Sequence, residues 1–302
     1  MRSRRVWAIP TLLRSHVMIS TFARRRFCTR RRRPAVVGDE FLFGIQPCLL
    51  ALQAARRTIF DVYVKSDYAN ARRSPLHDVV KIAQTKGIPV RGADKGRLGT
   101  MSEGRPHQGV VMKVGRLNYE PISYVKKELD NGRFPLWVLL DAIQDPMNVG
   151  AVLRTCCFLG VDKVVVCNKN CAPLTPTVSK ASAGAIEAFP VYSTSSSIRF
   201  IKECLSAGWS VVGGSSANHS KSNSEIIDCS KPFSIPHPVL LVLGNEGYGL
   251  RPSVANICSH LIHVPPSEGN QALNFGLDSL NVSVATGILV FRLKQEIEYA
   301  LN

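Results

Sequence analysis

The sequence predicts an α/β protein built in two parts, and three observations carry that prediction. Strongly apolar runs alternate with segments of helical periodicity, namely LWVLL at Leu136–Leu140, KVVVC at Lys163–Cys167 and VLLVL at Val239–Leu243. That alternation is the pattern of a parallel sheet covered on both faces. A polar stretch with two prolines, Gly115 to Pro135, sets this region apart from a shorter α/β pattern before it. The chain has 302 residues, 45% of them hydrophobic and 20% charged, which is globular and excludes a fibre, a disordered tail or a disulfide mini-protein.

The organisation predicted along the chain is a leader over 1–35, a small α/β unit over 38–115, a linker over 116–135 and a large domain over 136–300. The formal charge is +16, and most of it is local. Met1 to Arg33 holds eleven arginines and no acidic residue, while the other 27 Lys+Arg face all 22 Asp+Glu, a remainder of only +5. An Arg-rich, Ser-containing, acid-free leader has the composition of a mitochondrial transit peptide and addresses the protein to the matrix. A basic arm on RNA or a nuclear signal would also suit Arg30 to Arg33.

In the small unit, Phe41 to Arg57 reads as helical after Pro47, TIFDVYVK at Thr58–Lys65 as a strand, and Leu76 to Lys86 as a helix stopped by Gly87. Ile88 to Val90 is a short extended piece and Gly109 to Val114 a further strand. One helix is expected in the linker, at Ser123 to Leu129. In the large domain the further strands are Ser210–Gly213 and Leu261–Val264. Its helices are Met147–Leu159, Pro176–Ala188 with Thr175 as N-cap, Ser197–Ala207, and a last one from Leu280 to about Glu298. No apolar run approaches the roughly 18 residues of a membrane span. The nine cysteines include no C-x-x-C and no His neighbours at zinc spacing, so they read as buried thiols in a reducing compartment, with no metal site.

Ligands of open α/β sheets bind at the carboxyl ends of the strands, and three such segments are unusual. After Leu140 comes DAIQDPMNVGAVLR, in which Asp145 and Pro146 make a good helix start. Asn148 and Arg154 there are six apart, about 240° around a helix, and share no face if both are helical. After Leu243 comes GNEGYGL, where three glycines let backbone approach a ligand closely and no simple turn requires Glu246. This loop is neither G-x-G-x-x-G nor a Walker A loop. Third, Val264-Pro265-Pro266 is followed by Ser279-Leu280-Asn281-Val282-Ser283 at the opening of the last helix, with Ser279 the expected N-cap.

Taken in order and with their spacings, NVGAVLR, LVLGNEGYGL and VPP…SLNVSVATGIL resemble the SpoU family of RNA ribose 2′-O-methyltransferases, within the SPOUT superfamily. The region from Phe41 to Val114, with FGIQP near its start and HQGV near its end, resembles that family's ribosomal-protein-like substrate-binding domain. The resemblance implies a deep C-terminal trefoil knot, a homodimer with active sites at the interface, and S-adenosylmethionine as cofactor. Arg154, Asn148, Glu246, Ser279 and Asn281 match its site positions. Its cofactor positions fall on Leu243, Gly244, Asn245, Gly249, Val264 and Leu280, with Gly244, Val264 and Leu280 acting through main-chain groups. With the leader in front, it implies methylation of a guanosine ribose in mitochondrial large-subunit rRNA. Ser267 to Asp278 departs from the pattern as an insertion-like stretch.

In-line alignment of methyl and 2′-oxygen can supply on the order of 7–11 kcal/mol of the barrier. Arginine stays protonated below roughly pH 12, so Arg154 suits bidentate grip of a phosphate and stabilisation of a developing alkoxide better than proton abstraction. Glu246 either accepts the proton or holds Asn281 and the loop. Arg56, Arg57, Arg72 and Arg73 are the arginines expected on RNA phosphates, unless they form an ordinary solvated surface. Two rivals stay open: a tRNA methyltransferase of the same family, and a non-catalytic RNA-binding assembly factor that retains the fold.

Overall fold

The computed structural model describes residues 38–67, 75–122, 125, 134–215, 225–236, 238–267 and 279–299. The leader, Arg72, Arg73, nearly all of the linker helix and most of the 267–278 stretch lie outside the described residues.

The small domain is a four-stranded mixed sheet with three helices. Its elements are β1 (Asp39–Phe43), α1 (Ile45–Ala54), β2 (Ile59–Lys65), α2 (Leu76–Thr85), β3 (Val90–Ala93), α3 (Lys95–Met101) and β4 (Val110–Gly115). The strand order is β1-β4-β2-β3, parallel between β2 and β3 and antiparallel elsewhere. Sequence periodicity missed β1, because Phe41 to Phe43 runs straight into the apolar face of α1. Gly44, at φ 96, turns the chain between them. Pro47 sits in the first turn of α1, where its missing N–H is no loss. Leu42, Leu52, Val62, Val79 and Met112 fill the core without exposure.

The large domain opens with β5 (Glu120–Pro121), β6 (Leu136–Leu140), α4 (Pro146–Phe158), β7 (Lys163–Cys167), α5 (Pro176–Ala181), α6 (Ala185–Ala188) and β8 (Val191–Thr194). It continues with α7 (Ser197–Ser206), β9 (Ser210–Gly214), β10 (Glu225–Asp228), β11 (Val239–Leu243), α8 (Pro252–Ala255), β12 (His260–His263) and α9 (Val282–Tyr299). Its sheet, ordered β10-β12-β9-β11-β6-β7-β8-β5, is parallel throughout the described strands. From β6 the chain steps outward through β7 and β8. It later returns with β11 inserted between β6 and β9. The adjacent carboxyl ends of β6 and β11 are therefore a topological switch point, where open α/β sheets bind ligands. Every residue of β6 and β11 is buried, as strands covered on both faces require.

Three details depart from the expectations. The segment 116–122 is part of the fold: Leu117 is buried, the Tyr119 hydroxyl donates to the Ala172 carbonyl, and β5 adds to β8 at the sheet edge. The helix expected over Pro176–Ala188 is two helices. Thr175 caps the first as anticipated, but Ala183 and Gly184 adopt φ 51 and 84 and break the run. A Cβ on Gly184 would lie 2.9 Å from both Leu50 Cδ1 and Pro47 Cα, so the break admits α1 of the small domain. The third departure concerns the arginines expected on RNA. Arg57 is 8% exposed, donates to Glu40, Glu187 and the Gly115 carbonyl, and is consumed inside the fold. Arg56 donates to the Ile186 carbonyl and to Glu120. Both donate into the large domain, and the guanidinium of Arg57 is enclosed there, out of reach of phosphate.

The eight described cysteines are free thiols. Burial pushes Cys204 and Cys258 up to about 12, which keeps them protonated and unreactive. Among the described residues no helix is long and apolar enough to cross a membrane, and no group of His, Cys, Asp and Glu could hold a metal ion.

Candidate active site

The carboxyl end of β6 carries a rigid turn. Asp141 is 2% exposed, and its N–H donates to the Leu243 carbonyl at 2.8 Å. Ala142 follows at φ 67, a conformation that costs energy in a non-glycine residue. Asn245 holds it there, donating from Nδ2 to the Ala142 carbonyl at 2.8 Å. Asp145 then caps α4 by accepting the Met147 N–H at 3.0 Å, with Pro146 at the first helical position.

The glycine loop folds back on itself. Asn245 and Gly249 exchange both backbone hydrogen bonds, at 3.0 and 2.9 Å, and Gly249 sits at φ 69. A Cβ on Gly244 would fall 2.3 Å from the Gly249 carbonyl carbon and oxygen. Closure of the loop therefore requires Gly244, independently of any ligand.

A directed chain of side-chain hydrogen bonds joins the three segments singled out above. Ser283 donates from N and Oγ to Asn281 Oδ1, at 2.8 and 2.6 Å. Asn281 Nδ2 donates to Asn148 Oδ1 at 3.0 Å, and Asn148 Nδ2 to Glu246 Oε1 at 3.3 Å. The same Glu246 oxygen accepts the Asp145 N–H at 3.2 Å, and Oε2 accepts from Asn245 at 3.3 Å. Each amide is thereby fixed in orientation, because its oxygen faces donors and its nitrogen an acceptor. The cap of α9 is Asn281; Ser279, the expected cap, precedes the helix by three residues.

Arg154 stands apart from this chain. It lies on α4, exposed, and makes no hydrogen bond or ion pair with any described residue. The 240° offset from Asn148 read from the sequence is realised, since both residues are helical.

The cluster borders a cavity lined by Gly214, the Leu243–Leu250 loop, Val264, Ser279, Leu280, Val282, Ala285 and Leu289. All six positions expected to bind a cofactor, Leu243, Gly244, Asn245, Gly249, Val264 and Leu280, lie on this wall. The lining combines glycine backbone with aliphatic side chains of Leu243, Leu250, Leu280, Val282 and Leu289. That combination fits a nucleoside with an apolar, sulfonium-bearing tail.

Sequence reasoning passed over three residues here, Arg251, Ser197 and Tyr248. Arg251 donates from Nε and Nη2 to Asp141 at 2.9 and 2.7 Å, and Ser197 Oγ donates to the same carboxylate at 2.7 Å. An acidic residue ending a wholly apolar strand was the available signal. Tyr248, 59% exposed, stands on the glycine loop at the rim of the cavity.

Fold and cavity together define an α/β protein with a glycine-lined cavity at its switch point, the layout of a nucleotide-binding enzyme. Comparison with known proteins makes this specific. Residues 135–291 match the model of the SpoU rRNA methylase family, and residues 41–120 match that of the RNA 2′-O ribose methyltransferase substrate-binding domain. The chain belongs to the SpoU rRNA methylase family, enzymes that transfer the methyl of S-adenosylmethionine to a ribose 2′-oxygen of RNA. It is 43% identical to the human protein named rRNA methyltransferase 1, mitochondrial, over 83% of this chain and 71% of that one. It is 30% identical to the 23S rRNA (guanosine-2′-O-)-methyltransferase RlmB of Pectobacterium atrosepticum, over 84% of this chain and 96% of that one. An rRNA methyltransferase from Sinorhizobium meliloti, solved with AdoMet bound, shares the fold with a TM-score of 0.65 at 22% identity, covering 86% of this chain and 88% of that one.

Proposed function

We propose that this protein methylates the ribose 2′-oxygen of a guanosine in mitochondrial large-subunit rRNA, in the matrix, as a homodimer with S-adenosylmethionine as methyl donor. The observation that carries the reading is the hydrogen-bond chain from Ser283 through Asn281 and Asn148 to Glu246, which ties all three motif segments around one cavity. The names of the human and Pectobacterium relatives supply the compartment, the rRNA and the guanosine.

When bound, S-adenosylmethionine supplies an electrophilic methyl on a sulfonium; everything else falls to the chain. Leu243, Gly244, Val264 and Leu280 hold the cofactor through main-chain groups, and Asn245 and Gly249 keep the loop shut around it. Glu246 is a brace: its oxygens accept from Asp145, Asn148 and Asn245, which aims the two asparagine amides. Arg154 grips the phosphate beside the target ribose with its fork and stabilises the developing alkoxide as the 2′-hydroxyl proton passes to solvent water. Because Arg154 faces away from its own chain's asparagines, it serves the site of a second copy. A surface for that copy exists on the mutually packed α4 and α9, where Met147, Phe158, Val284 and Phe291 are 58, 87, 51 and 52% exposed. Apolar side chains so exposed on two adjoining helices mark an association surface. The return of β11 and β12 into the sheet supports the trefoil knot. With Arg57 buried in the fold and Arg56 engaged by Ile186 and Glu120, RNA contact passes to Lys65, Lys95 and His107. They line an open depression of about 830 Å³ at the carboxyl ends of β2 and β3.

The test is to incubate the purified protein with S-adenosylmethionine and separate transcripts of mitochondrial large-subunit rRNA and of mitochondrial tRNAs, then map 2′-O-methyl groups. One methylated guanosine in the rRNA is expected. Methylation of tRNA alone would favour the tRNA reading, and cofactor binding in calorimetry with no transfer to either would favour an assembly factor. The address is tested separately: residues 1–40 fused to a fluorescent reporter should carry it into mitochondria, and a nuclear or diffuse signal rejects the matrix assignment.

A further inference from the structure

Residues 36–302 form one compact unit, so the small domain is docked on the large one. The junction is built around Arg57. Its Nη1 donates to Glu40 at 2.6 Å and to the Gly115 carbonyl at 3.2 Å, both in the small domain, while Nη2 and Nε lie 2.9 Å from the two oxygens of Glu187 in α6. Ser179 of α5 donates to Glu187 at 2.7 Å. The Arg57 and Glu187 side chains are 1% and 0% exposed. Beside them Arg56 donates to the Ile186 carbonyl at 2.7 Å, and α1 lies in the gap that Gly184 keeps open.

A pair this deeply buried adds little net stability, because desolvation offsets the attraction. Its strength is geometric, since any other orientation strips one charge of its partner. The geometry continues toward the catalytic centre. Ser179 belongs to α5, which packs on α4 so closely that a Cβ on Gly150 would lie 2.4 Å from Ala181 Cβ. α4 carries Asn148 and Arg154.

We propose that the buried Arg57–Glu187 pair is the register between the RNA-holding domain and the catalytic domain, and that it determines which ribose of the bound rRNA reaches the methyl. The two residues are positioning residues for specificity and touch neither cofactor nor reacting atoms. The domain that grips RNA thereby acts as a fixed-length arm, where a flexible tether would let several neighbouring riboses compete.

The proposal rests on the rRNA reading above, and the full chain tests it with Glu187→Gln, which keeps the shape of the side chain and removes its charge. On the large-subunit rRNA transcript the variant should bind S-adenosylmethionine as the unsubstituted protein does. Turnover should fall by about a hundredfold, the loss expected from a displacement near 1 Å, with methyl groups spread onto neighbouring riboses. Unchanged turnover at a single site overturns the register. A fall in turnover that only matches a smaller cofactor-binding fraction overturns it too, since that is misfolding. If Glu187→Gln does not fold, Ser179→Ala decides: it keeps both charges of the pair, removes the hydroxyl that orients Glu187, and should give the same spread with a smaller loss. A single normal site in Ser179→Ala then overturns the proposal. Should the unsubstituted protein methylate nothing on the transcript, the rRNA reading fails; amide hydrogen exchange in α1 and α6 still judges the register, faster in Glu187→Gln if the pair holds the two domains together and unchanged if it does not.

Discussion

Arg154→Lys should lower methyl transfer by at least about a hundredfold, the usual loss when one charge-stabilising donor is removed from a transition state, while S-adenosylmethionine binding stays intact. The positive charge survives this substitution. What is lost is the planar fork, which can engage a phosphate at two points and a developing alkoxide at once. The cofactor cavity lacks Arg154 among its lining residues, so calorimetric affinity should not change; near-normal turnover rejects the role. The same variant tests the dimer. Arg154 projects some 240° around α4 from Asn148, away from the asparagines and Glu246 of its own chain. Mixed with an Asn148→Ala chain, itself inactive, Arg154→Lys should regain about a quarter of normal activity. In a two-fold dimer half of the pairs are mixed, and each mixed pair has one intact site of two. No recovery on mixing places Arg154 in the site of its own chain.

Much of this arrangement was legible in the sequence because its signals are local. Asp145-Pro146 and Thr175-Pro176 start helices where a cap and a proline stand together, and the buried strands are continuous apolar runs. The three motif segments could be recognised as a set since each follows a strand end. Legibility failed where the deciding partner is distant in sequence. Nothing around Arg57 announces that Glu187, 130 residues on, will take its guanidinium, so a buried structural arginine looked like a surface one. The break at Ala183 and Gly184 follows from α1 lying there, not from the helical period of Pro176–Ala188. Asn281 displaced Ser279 as cap because it also bonds Asn148 across the site, a choice made by tertiary contact over local propensity.

The Asp141–Arg251 pair is of the same long-range kind, and its removal should have a large effect on stability. Asp141 ends β6 at 2% exposure, held by two bonds from Arg251 and one from Ser197. Arg251 directly follows the glycine loop, so the pair ties that loop to the strand before α4. Arg251→Met leaves a carboxylate buried without its cation. Breaking such a pair costs roughly 3–5 kcal/mol, and the 36% exposure of the Arg251 side chain puts the expected cost at the lower end, about 3 kcal/mol. For a domain of this size that lowers the melting temperature by about 6–12 °C; an unchanged melting temperature rejects the clamp. Cofactor affinity should fall with it, because the loop that lines the cavity loses its anchor. Adding Asp141→Leu to Arg251→Met separates the two effects. Removing both charges should recover most of the stability, as it does for buried pairs replaced by apolar residues, yet leave cofactor affinity low. If affinity returns together with stability, the clamp serves folding alone; if it stays low, Asp141 and Arg251 hold the loop in the shape that binds S-adenosylmethionine.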